Sequence, residues 1–161
     1  MIVILCYLLA IIAANFSAFF FGPIVTPLNS FLFIGLDLAL RDRLHEKWAG
    51  NSLVKKMGGI ILLGSLLSFL LNPATGAIAL ASCIAFGLAA IGDTFIYNKL
   101  IKQHFLVKSN GSNVVGAAID SIAFPTIAFG ELIPLIILGQ FLAKVFGGVV
   151  WSSIVYRFNK K

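Results

Sequence analysis

Long apolar runs, most of them close to twenty residues, dominate this chain. Of its 161 residues 60% are hydrophobic and only 11% are charged, whereas soluble domains are about 25% charged. A helix needs about 20 consecutive apolar residues to cross the hydrocarbon core of a bilayer. A chain of this composition has too little polar surface to cover itself in water. The sequence therefore predicts an integral membrane protein.

Turn-forming residues divide the apolar runs into six segments, which predict an all-α fold with about six transmembrane helices. The predicted helices cover residues 2–21, 28–44, 53–71, 77–97, 114–129 and 132–156. Pro23 and Pro73 follow the first and third runs, and the segment 110–113 supplies turn and N-cap residues before the fifth. The spans use nearly all of the chain, so we expect one membrane transporter domain over residues 1–161.

The basic residues between the runs fall on alternate connections. Lys and Arg occur in 41–56, in 99–108 and in 157–161, and the other three connections contain none. Short cytoplasmic loops carry the excess of positive charge in membrane proteins. We therefore expect both termini to be cytoplasmic in a multi-pass protein of the cell (inner) membrane. The basic residues of these loops also account for the net charge of +6. We therefore expect no nucleic-acid partner.

Polar and ionisable side chains interrupt these apolar runs. A charge at the centre of a membrane helix costs about 2.5–3.5 kcal/mol on insertion scales, so it usually faces a polar interior and marks a pathway or a site. On this basis the candidate substrate-binding residues are Asn15, Asp37, Arg41, Asp93, Asn113, Asp120, Gln140 and Lys144.

Asp37 and Arg41 lie four residues apart and therefore share one face of the second helix. One interpretation is that Asp37 accepts donors from a substrate while Arg41 tunes its charge. The alternative is a self-contained ion pair in which Arg41 snorkels to water at the cytoplasmic end. The charges that follow, in 42–47, indicate a solvated helix end that continues along the membrane surface.

The fourth and fifth helices carry one carboxylate each. Asp93 lies about one turn from the basic end of its helix, where a half-solvated surface position is an alternative to a site. Asp120 shares a face with Asn113 and lies about 10 Å from the predicted start of its helix. Pro125 has no backbone N–H, so the Ser121 carbonyl would lose its helical hydrogen bond. Such a break is tolerated where protein or a water-filled cavity supplies another donor. A site is favoured over a purely structural kink.

The sixth helix carries Gln140 and Lys144 near the middle of its span, where snorkelling is hardest. Lys144 should therefore face protein and need a carboxylate partner, for which Asp120 and Asp93 both remain open. Asn15 in the first helix is the weakest candidate, because a single Asn often makes only an interhelical hydrogen bond.

Small residues also recur along one stripe of the sixth helix. Gly139, Ala143 and Gly147 follow a small-xxx-small spacing. Such a stripe lets the backbone of a second helix approach closely. We therefore expect a tight helix contact beside Lys144.

Three segments together carry a resemblance to a known family. They are 33–46 (FIGLDLALRDRLHE), 110–113 (NGSN) leading to Asp120 and Ser121, and 139–144 (GQFLAK). In combination they resemble the short members of the vitamin uptake transporter (VUT) family, which includes transporters of queuosine precursors, the 7-deazaguanine bases of a modified tRNA nucleoside. The resemblance implies a six-helix architecture loosely similar to the substrate-binding subunits of energy-coupling-factor vitamin importers. It also implies import of a base such as 7-cyano-7-deazaguanine.

A deazaguanine substrate is chemically reasonable for this set of residues. Its guanine-like edge presents adjacent N–H donors that a carboxylate can accept, and its carbonyl needs a donor such as Lys144, Gln140 or Asn113. Flat rings stack on aromatic side chains, and the chain has 15 Phe. A flavin, a pterin or another small vitamin would satisfy the same groups, so the residues alone leave the solute open.

A membrane-embedded enzyme and a structural membrane subunit are the alternatives to a transporter. Catalysis needs clustered acids, bases or metal ligands, and the sequence shows no paired Asp motif, His cluster or nucleophile beside a base. Cys6 and Cys83 lie within apolar runs and indicate small buried residues instead of a disulfide or metal framework. We therefore expect a non-enzymatic transporter that binds a small molecule within the lipid bilayer, without a metal or cofactor. Its oligomeric state and any energising partner stay open.

Overall fold

The computed structural model describes residues 2–48 and 52–158, and all regular elements within these ranges are helical. The six long helices are α1 (Ile2–Phe21), α2 (Pro23–Trp48), α3 (Leu53–Leu71), α4 (Gly76–Lys99), α5 (Phe105–Phe129) and α6 (Pro134–Phe158). Each of the six is long and apolar enough to cross a membrane. The predicted all-α membrane fold with six spans is therefore confirmed. Lys160 and Lys161, which contribute to the predicted basic tail, lie outside the described residues.

Two of the helix ends follow directly from local sequence. Gly22 separates α1 from α2 with φ of 67°, a left-handed conformation that glycine adopts without a steric penalty. Asn72 is extended, and its side-chain oxygen accepts a hydrogen bond from the Ala74 backbone N–H at 3.1 Å. That bond caps the short 3₁₀ turn Pro73–Thr75, which leads into α4.

The second helix is interrupted, which its sequence pattern did not predict. It consists of a 3₁₀ turn (Pro23–Val25), an α-helical turn (Thr26–Asn29), a π-helical turn (Ser30–Ile34) and an α-helix (Gly35–Trp48). The predicted start at residue 28 was too late, whereas the expected continuation of the helix beyond residue 44 is confirmed as far as Trp48. The Phe31 carbonyl in the π turn accepts a hydrogen bond from the Trp151 indole of α6 at 3.2 Å. Single π turns inside helices are frequent at functional sites.

Glycines bring the backbones of α2 and α6 into direct contact. A Cβ added at Gly147 would lie 2.6 Å from the Phe31 carbonyl oxygen, and one at Gly35 would lie 2.8 Å from the Gly147 carbonyl carbon. At Gly139 an added Cβ would lie 3.3 Å from the Pro27 ring. The small-residue stripe of α6 therefore allows the close approach that its spacing predicts, and α2 is the helix that approaches.

The fifth helix begins at Phe105, not at residue 114 as predicted. Its N-cap is His104, whose Nδ1 accepts a hydrogen bond from the Leu106 N–H at 3.3 Å. The Nε2 of the same ring lies 2.9 Å from the Tyr156 hydroxyl near the end of α6. This cap and its tertiary contact fix the start of the helix before the turn-like residues are reached.

The segment 110–113 lies inside α5, so its predicted role as a turn and N-cap is wrong. Its polar side chains bond to neighbouring helices instead. Ser152 of α6 donates to the Asn110 side-chain oxygen at 3.1 Å, and Asn113 donates to Asp42 of α2 at 3.1 Å. Tertiary hydrogen bonds have overridden the local turn preference of these residues.

One end of the bundle gathers basic residues from several helices. Glu46 near the end of α2 pairs with Arg43 at 3.0 Å and with Lys108 of α5 at 2.9 Å. The His104–Tyr156 contact joins the start of α5 to the end of α6 at the same place. We call this the basic end; its cytoplasmic location stays a prediction.

Candidate functional site

A small cavity with a polar wall lies between α1, α2, α4, α5 and α6. The polar residues that line it are Asn15, Thr26, Asn29, Ser30, Ser82, Asp120, Gln140 and Lys144. Four of these belong to the set expected from sequence, and the structure brings them together although they come from three different helices. The other four were missed.

Lys144 is the centre of the hydrogen-bond network at this cavity. Its ammonium lies 2.7 Å from the Asp120 Oδ2 and donates to the Ser121 hydroxyl and to the Gln140 Oε1, each at 2.9 Å. An ammonium has three donors, and three acceptors meet them. Lys144 is only 1% exposed. Of the two partners left open by the sequence, the structure selects Asp120 and not Asp93.

The network continues from Gln140 into the interrupted start of α2. The Gln140 Nε2 donates to the Thr26 hydroxyl at 2.8 Å, and Thr26 in turn donates to the Pro23 carbonyl at 2.6 Å. Because Gln140 also accepts from Lys144, a single chain of hydrogen bonds links the Asp120 carboxylate to the first turn of α2.

The Asp120 carboxylate has one oxygen without a bond. Its Oδ2 is held by Lys144, while its Oδ1 is buried and accepts no hydrogen bond from any described residue. A buried acceptor left unsatisfied costs about 1–3 kcal/mol, and more when it is charged. Because Asp120 lines the cavity, an N–H donor placed there would find a partner.

Aromatic and amide groups complete the wall. Phe86 of α4 and Phe124 of α5 both line the cavity and offer apolar surfaces to a flat ring. Asn15 donates to the Ser68 hydroxyl of α3 at 3.0 Å, so it makes the interhelical bond expected of a lone Asn while also lining the cavity. Asn29 reaches the Ala14 carbonyl at 3.4 Å.

The missed lining residues include Thr26, Asn29 and Ser30, which form a cluster at the start of α2. A signal for them was present in the sequence, because three polar residues within one turn of an apolar run would be costly in lipid and therefore suggest a buried site. Ser82 gave no such signal, since a single Ser is common in membrane helices.

The cavity is narrow in the described conformation. The centres of water-sized molecules can occupy only about 20 Å³ of it. That is room for one or two waters and not for a ring system. A solute can therefore bind there only if the surrounding helices separate.

A second group of expected residues forms a buried cluster toward the basic end. We call Asp37, Arg41, Asp42, Asp93 and Asn113 the carboxylate cluster. The Arg41 Nη2 lies 3.2 Å from the Asp93 Oδ1, and the two side chains are 3% and 1% exposed. These residues do not line the cavity.

Two of the alternatives left open for residues of the carboxylate cluster are wrong. The ion pair of Arg41 is made across the bundle to Asp93, not within α2 to Asp37, and neither member reaches water. Asp93 is accordingly not a half-solvated surface residue. The absence of a side chain at Gly116 of α5 leaves space for the Arg41 guanidinium, because a Cβ at that position would lie 3.0 Å from the Arg41 Nη2.

Asp42 is the charged residue that sequence reasoning missed. It was assigned to a solvated helix end, but it is fully buried and accepts hydrogen bonds from the Ser109 hydroxyl and the Asn113 amide of α5. His45, one turn further, is also buried and stacks on Tyr97 with ring centroids 4.4 Å apart. One face of the last turns of α2 therefore packs inside the bundle. The four-residue spacing of Ser109 and Asn113 was the available signal, since it puts two polar groups on one helix face.

Asp37 belongs to the carboxylate cluster but also interacts with a residue of the cavity. It is 1% exposed, and neither of its oxygens accepts a well-formed hydrogen bond from a described residue. The buried Tyr7 hydroxyl and Arg41 are close enough to interact with it, and so is Asp120 of the cavity. The two buried groups are thus electrostatically connected through Asp37.

A family comparison decides the class of protein. Residues 2–158 match the family model described as "Putative vitamin uptake transporter". The chain belongs to this family. Membership and the six spans make it a multi-pass membrane transporter of a vitamin-like solute, and they favour transport over catalysis. Comparisons with curated proteins and with solved structures gave no match.

Membership in a transporter family gives the interrupted α2 a clear interpretation. Many transporters build their solute sites from discontinuous helices near the middle of the membrane, where freed backbone groups line a cavity. Here the irregular part of α2 supplies Thr26, Asn29 and Ser30 to the cavity wall. The irregular backbone and the polar lining therefore occur together.

Proposed function

We propose that this chain, acting as one transporter domain over residues 1–161, imports a small planar base across the cell (inner) membrane. The best candidate is a queuosine precursor of the 7-deazaguanine type, such as 7-cyano-7-deazaguanine. One observation carries the proposal: Asp120, whose Oδ1 is unbonded, lines a cavity together with Lys144, Gln140 and two phenylalanine rings.

The chemistry of the base matches these groups in turn. A guanine-like edge offers adjacent N–H donors, and the free Asp120 Oδ1 is an acceptor for them. The ring carbonyl requires a donor, which Lys144 supplies by exchanging its bond to Gln140 for one to the solute. The ring faces pack against Phe86 and Phe124, while Asn15 lines the same wall.

The remaining four residues expected from sequence receive a different role in this proposal. Asp37, Arg41, Asp93 and Asn113 lie in the carboxylate cluster, outside the lining of the cavity. In this proposal they set the electrostatic potential at the site and make no direct contact with the solute.

Uptake of the labelled base into proteoliposomes tests the proposal. Asp120→Asn replaces one of the two carboxylate oxygens with an NH₂ group, so the side chain no longer offers an acceptor oxygen to each of two N–H donors. Loss of a hydrogen bond to a charged group is worth about 1.5–3 kcal/mol, which corresponds to a roughly 10- to 100-fold weaker affinity. Glu131→Gln is the matched control, because Glu131 is an exposed carboxylate in a loop and its change should leave uptake intact.

Ring stacking has its own test. Phe124→Leu should weaken binding of the base, whereas Phe146→Leu should not, because Phe146 is 64% exposed on the outside of the bundle.

Competition by unlabelled guanine, flavin and pterin then ranks the solutes. If a flavin or a pterin is transported and the deazaguanine is not, the proposed substrate is wrong. If no such solute is transported, a structural subunit or a membrane-embedded enzyme gains support.

A further inference from the structure

The buried interior of the described bundle contains more carboxylates than cations. Four aspartates are at most 4% exposed, and they face two equally buried cations, Arg41 and Lys144. Lys108 is also largely buried, but it pairs with Glu46 at the basic end. An unpaired charge in a low-dielectric interior costs several kcal/mol, so this surplus requires a compensating ligand.

Three of the four aspartates are accounted for by their partners. Asp120 is paired with Lys144 and Asp93 with Arg41. Asp42 accepts two hydrogen bonds, from Ser109 and Asn113. Asp37 alone among these four aspartates has neither oxygen bonded to a described residue.

An independent observation points to the same place. The Tyr7 hydroxyl of α1 is fully buried and lies close enough to Asp37 to interact with it, but the two groups form no hydrogen bond of good geometry. A buried carboxylate beside a hydroxyl that holds it only loosely is a site where a proton can neutralise the carboxylate.

We propose that Asp37 is a proton-binding site, and that its proton couples movement of the solute to proton influx. The inference rests on the proposed transport function. The charged and titratable groups that surround Asp37 are Tyr7 from α1, Arg41 from its own helix, Asp93 from α4, and Asp120 from α5 with Lys144 of α6 beyond it.

A proton fits this site better than a metal ion does. One carboxylate oxygen is enough to bind a proton, whereas metal cations bound by oxygen need several ligands at once. Within residues 2–48 and 52–158, no three Asp, Glu, His or Cys side chains are grouped so that they could hold a metal ion.

The burial of Asp37 explains how proton and solute would be coupled. In the described conformation a negative Asp37 is buried without a well-formed hydrogen bond and repels Asp120. Protonation removes that cost by forming one O–H bond, which breaks again when the proton leaves on the other side. A conformation that encloses the solute would bury the same carboxyl group, so it is favourable only when the proton is bound too, and proton and solute cross together.

Infrared spectroscopy of the purified protein in detergent tests the proton site without any solute. The wild-type protein should show the carbonyl band of a protonated carboxyl group, which disappears at high pH. Asp37→Asn should lack that band, and Glu131→Gln should retain it. A band that persists unchanged in Asp37→Asn would overturn the assignment to Asp37.

Transport in proteoliposomes tests the coupling with labelled 7-cyano-7-deazaguanine. An inwardly directed proton gradient should drive accumulation of the base several-fold above equilibrium in the wild-type protein. Asp37→Asn should lose this accumulation while exchange of internal for external base persists. Accumulation that ignores the proton gradient, or that follows a sodium gradient, would refute proton coupling. A wild-type protein that exchanges no base would refute the proposed substrate, and the infrared result would still decide the proton site.

Discussion

The buried ion pair between Lys144 and Asp120 allows a quantitative test of the site. Lys144→Met removes the ammonium and leaves a carboxylate in the interior, with its Oδ1 already unbonded. Asp120→Asn removes the negative charge and leaves the ammonium with Ser121 and Gln140 as acceptors. We expect each single change to destabilise the protein and the double change to be much less harmful than the sum.

The expected size of the coupling follows from the geometry. Removing one member of a buried pair costs about 3–5 kcal/mol, whereas removing both is often close to neutral. If each single change costs about 3 kcal/mol and the double change is nearly neutral, the interaction energy reaches about 6 kcal/mol. Neutral side-chain hydrogen bonds in a membrane protein gave about 0.6 kcal/mol on average and at most about 1.7. A coupling above that range would identify a buried ion pair and not an ordinary interhelical bond.

Thermal unfolding in detergent is the measurement. About 1 kcal/mol shifts the melting temperature of a chain of this length by roughly 2–4 °C. The matched control is a second cycle that pairs Lys144→Met with Asp93→Asn, because Asp93 belongs to Arg41; its coupling should stay within about 0.5 kcal/mol. Additive losses in both cycles would mean that water, solute or backbone holds Lys144, and that the pairing with Asp120 is wrong.

Two further predictions concern topology and packing. In a background without native cysteines, a membrane-impermeant maleimide added to intact cells should label Glu131→Cys but neither Ser52→Cys nor Gln103→Cys, because we expect the basic loops to face the cytoplasm; the reverse pattern would invert the orientation. Gly147→Ala should destabilise the protein by about 1–3 kcal/mol, since its Cβ would lie 2.6 Å from a backbone oxygen of α2. Gly148→Ala, whose Cβ would have its nearest contact at 3.7 Å, should be close to neutral in the same unfolding assay.

The number and type of helices could be predicted because length and composition decide them. Runs of apolar residues near the thickness of a bilayer leave few alternatives, and the bounds Ile2–Phe21 and Leu53–Leu71 agree with the prediction at both ends. Boundaries failed where polar residues were used in tertiary contacts. The segment 110–113 looks like a turn, but its side chains bond to α2 and α6.

Pairing between charges was only partly accessible from sequence. Spacing on one helix suggested Arg41 with Asp37, because residues four apart share a face. The actual partner, Asp93, comes from α4, and it is reached through space that Gly116 leaves open. Asp42 was missed because a run of mixed charges usually lies in solvent. Only packing shows that one face of the last turns of α2 is buried.

The hydrogen-bond chain between the cavity and α2 suggests how binding could open the site. In the described state Gln140 accepts from Lys144 and donates to Thr26, so it ties the first turn of α2 to α6. A solute carbonyl that takes over the Lys144 donor would free Gln140 and weaken that tie. By contrast, contacts of Arg41 and Asp42 with α4 and α5 hold the other half of α2.

The π turn between these halves is therefore the natural place for α2 to bend. Its Phe31 carbonyl is held by the Trp151 indole at 3.2 Å and by close backbone contact with Gly147. These contacts restrain the turn in the described conformation. Exchange of one hydrogen bond at Lys144 then acts on the first half of α2, which supplies Thr26 and Asn29 to the cavity wall. Solute recognition and opening would thus share the same side chains.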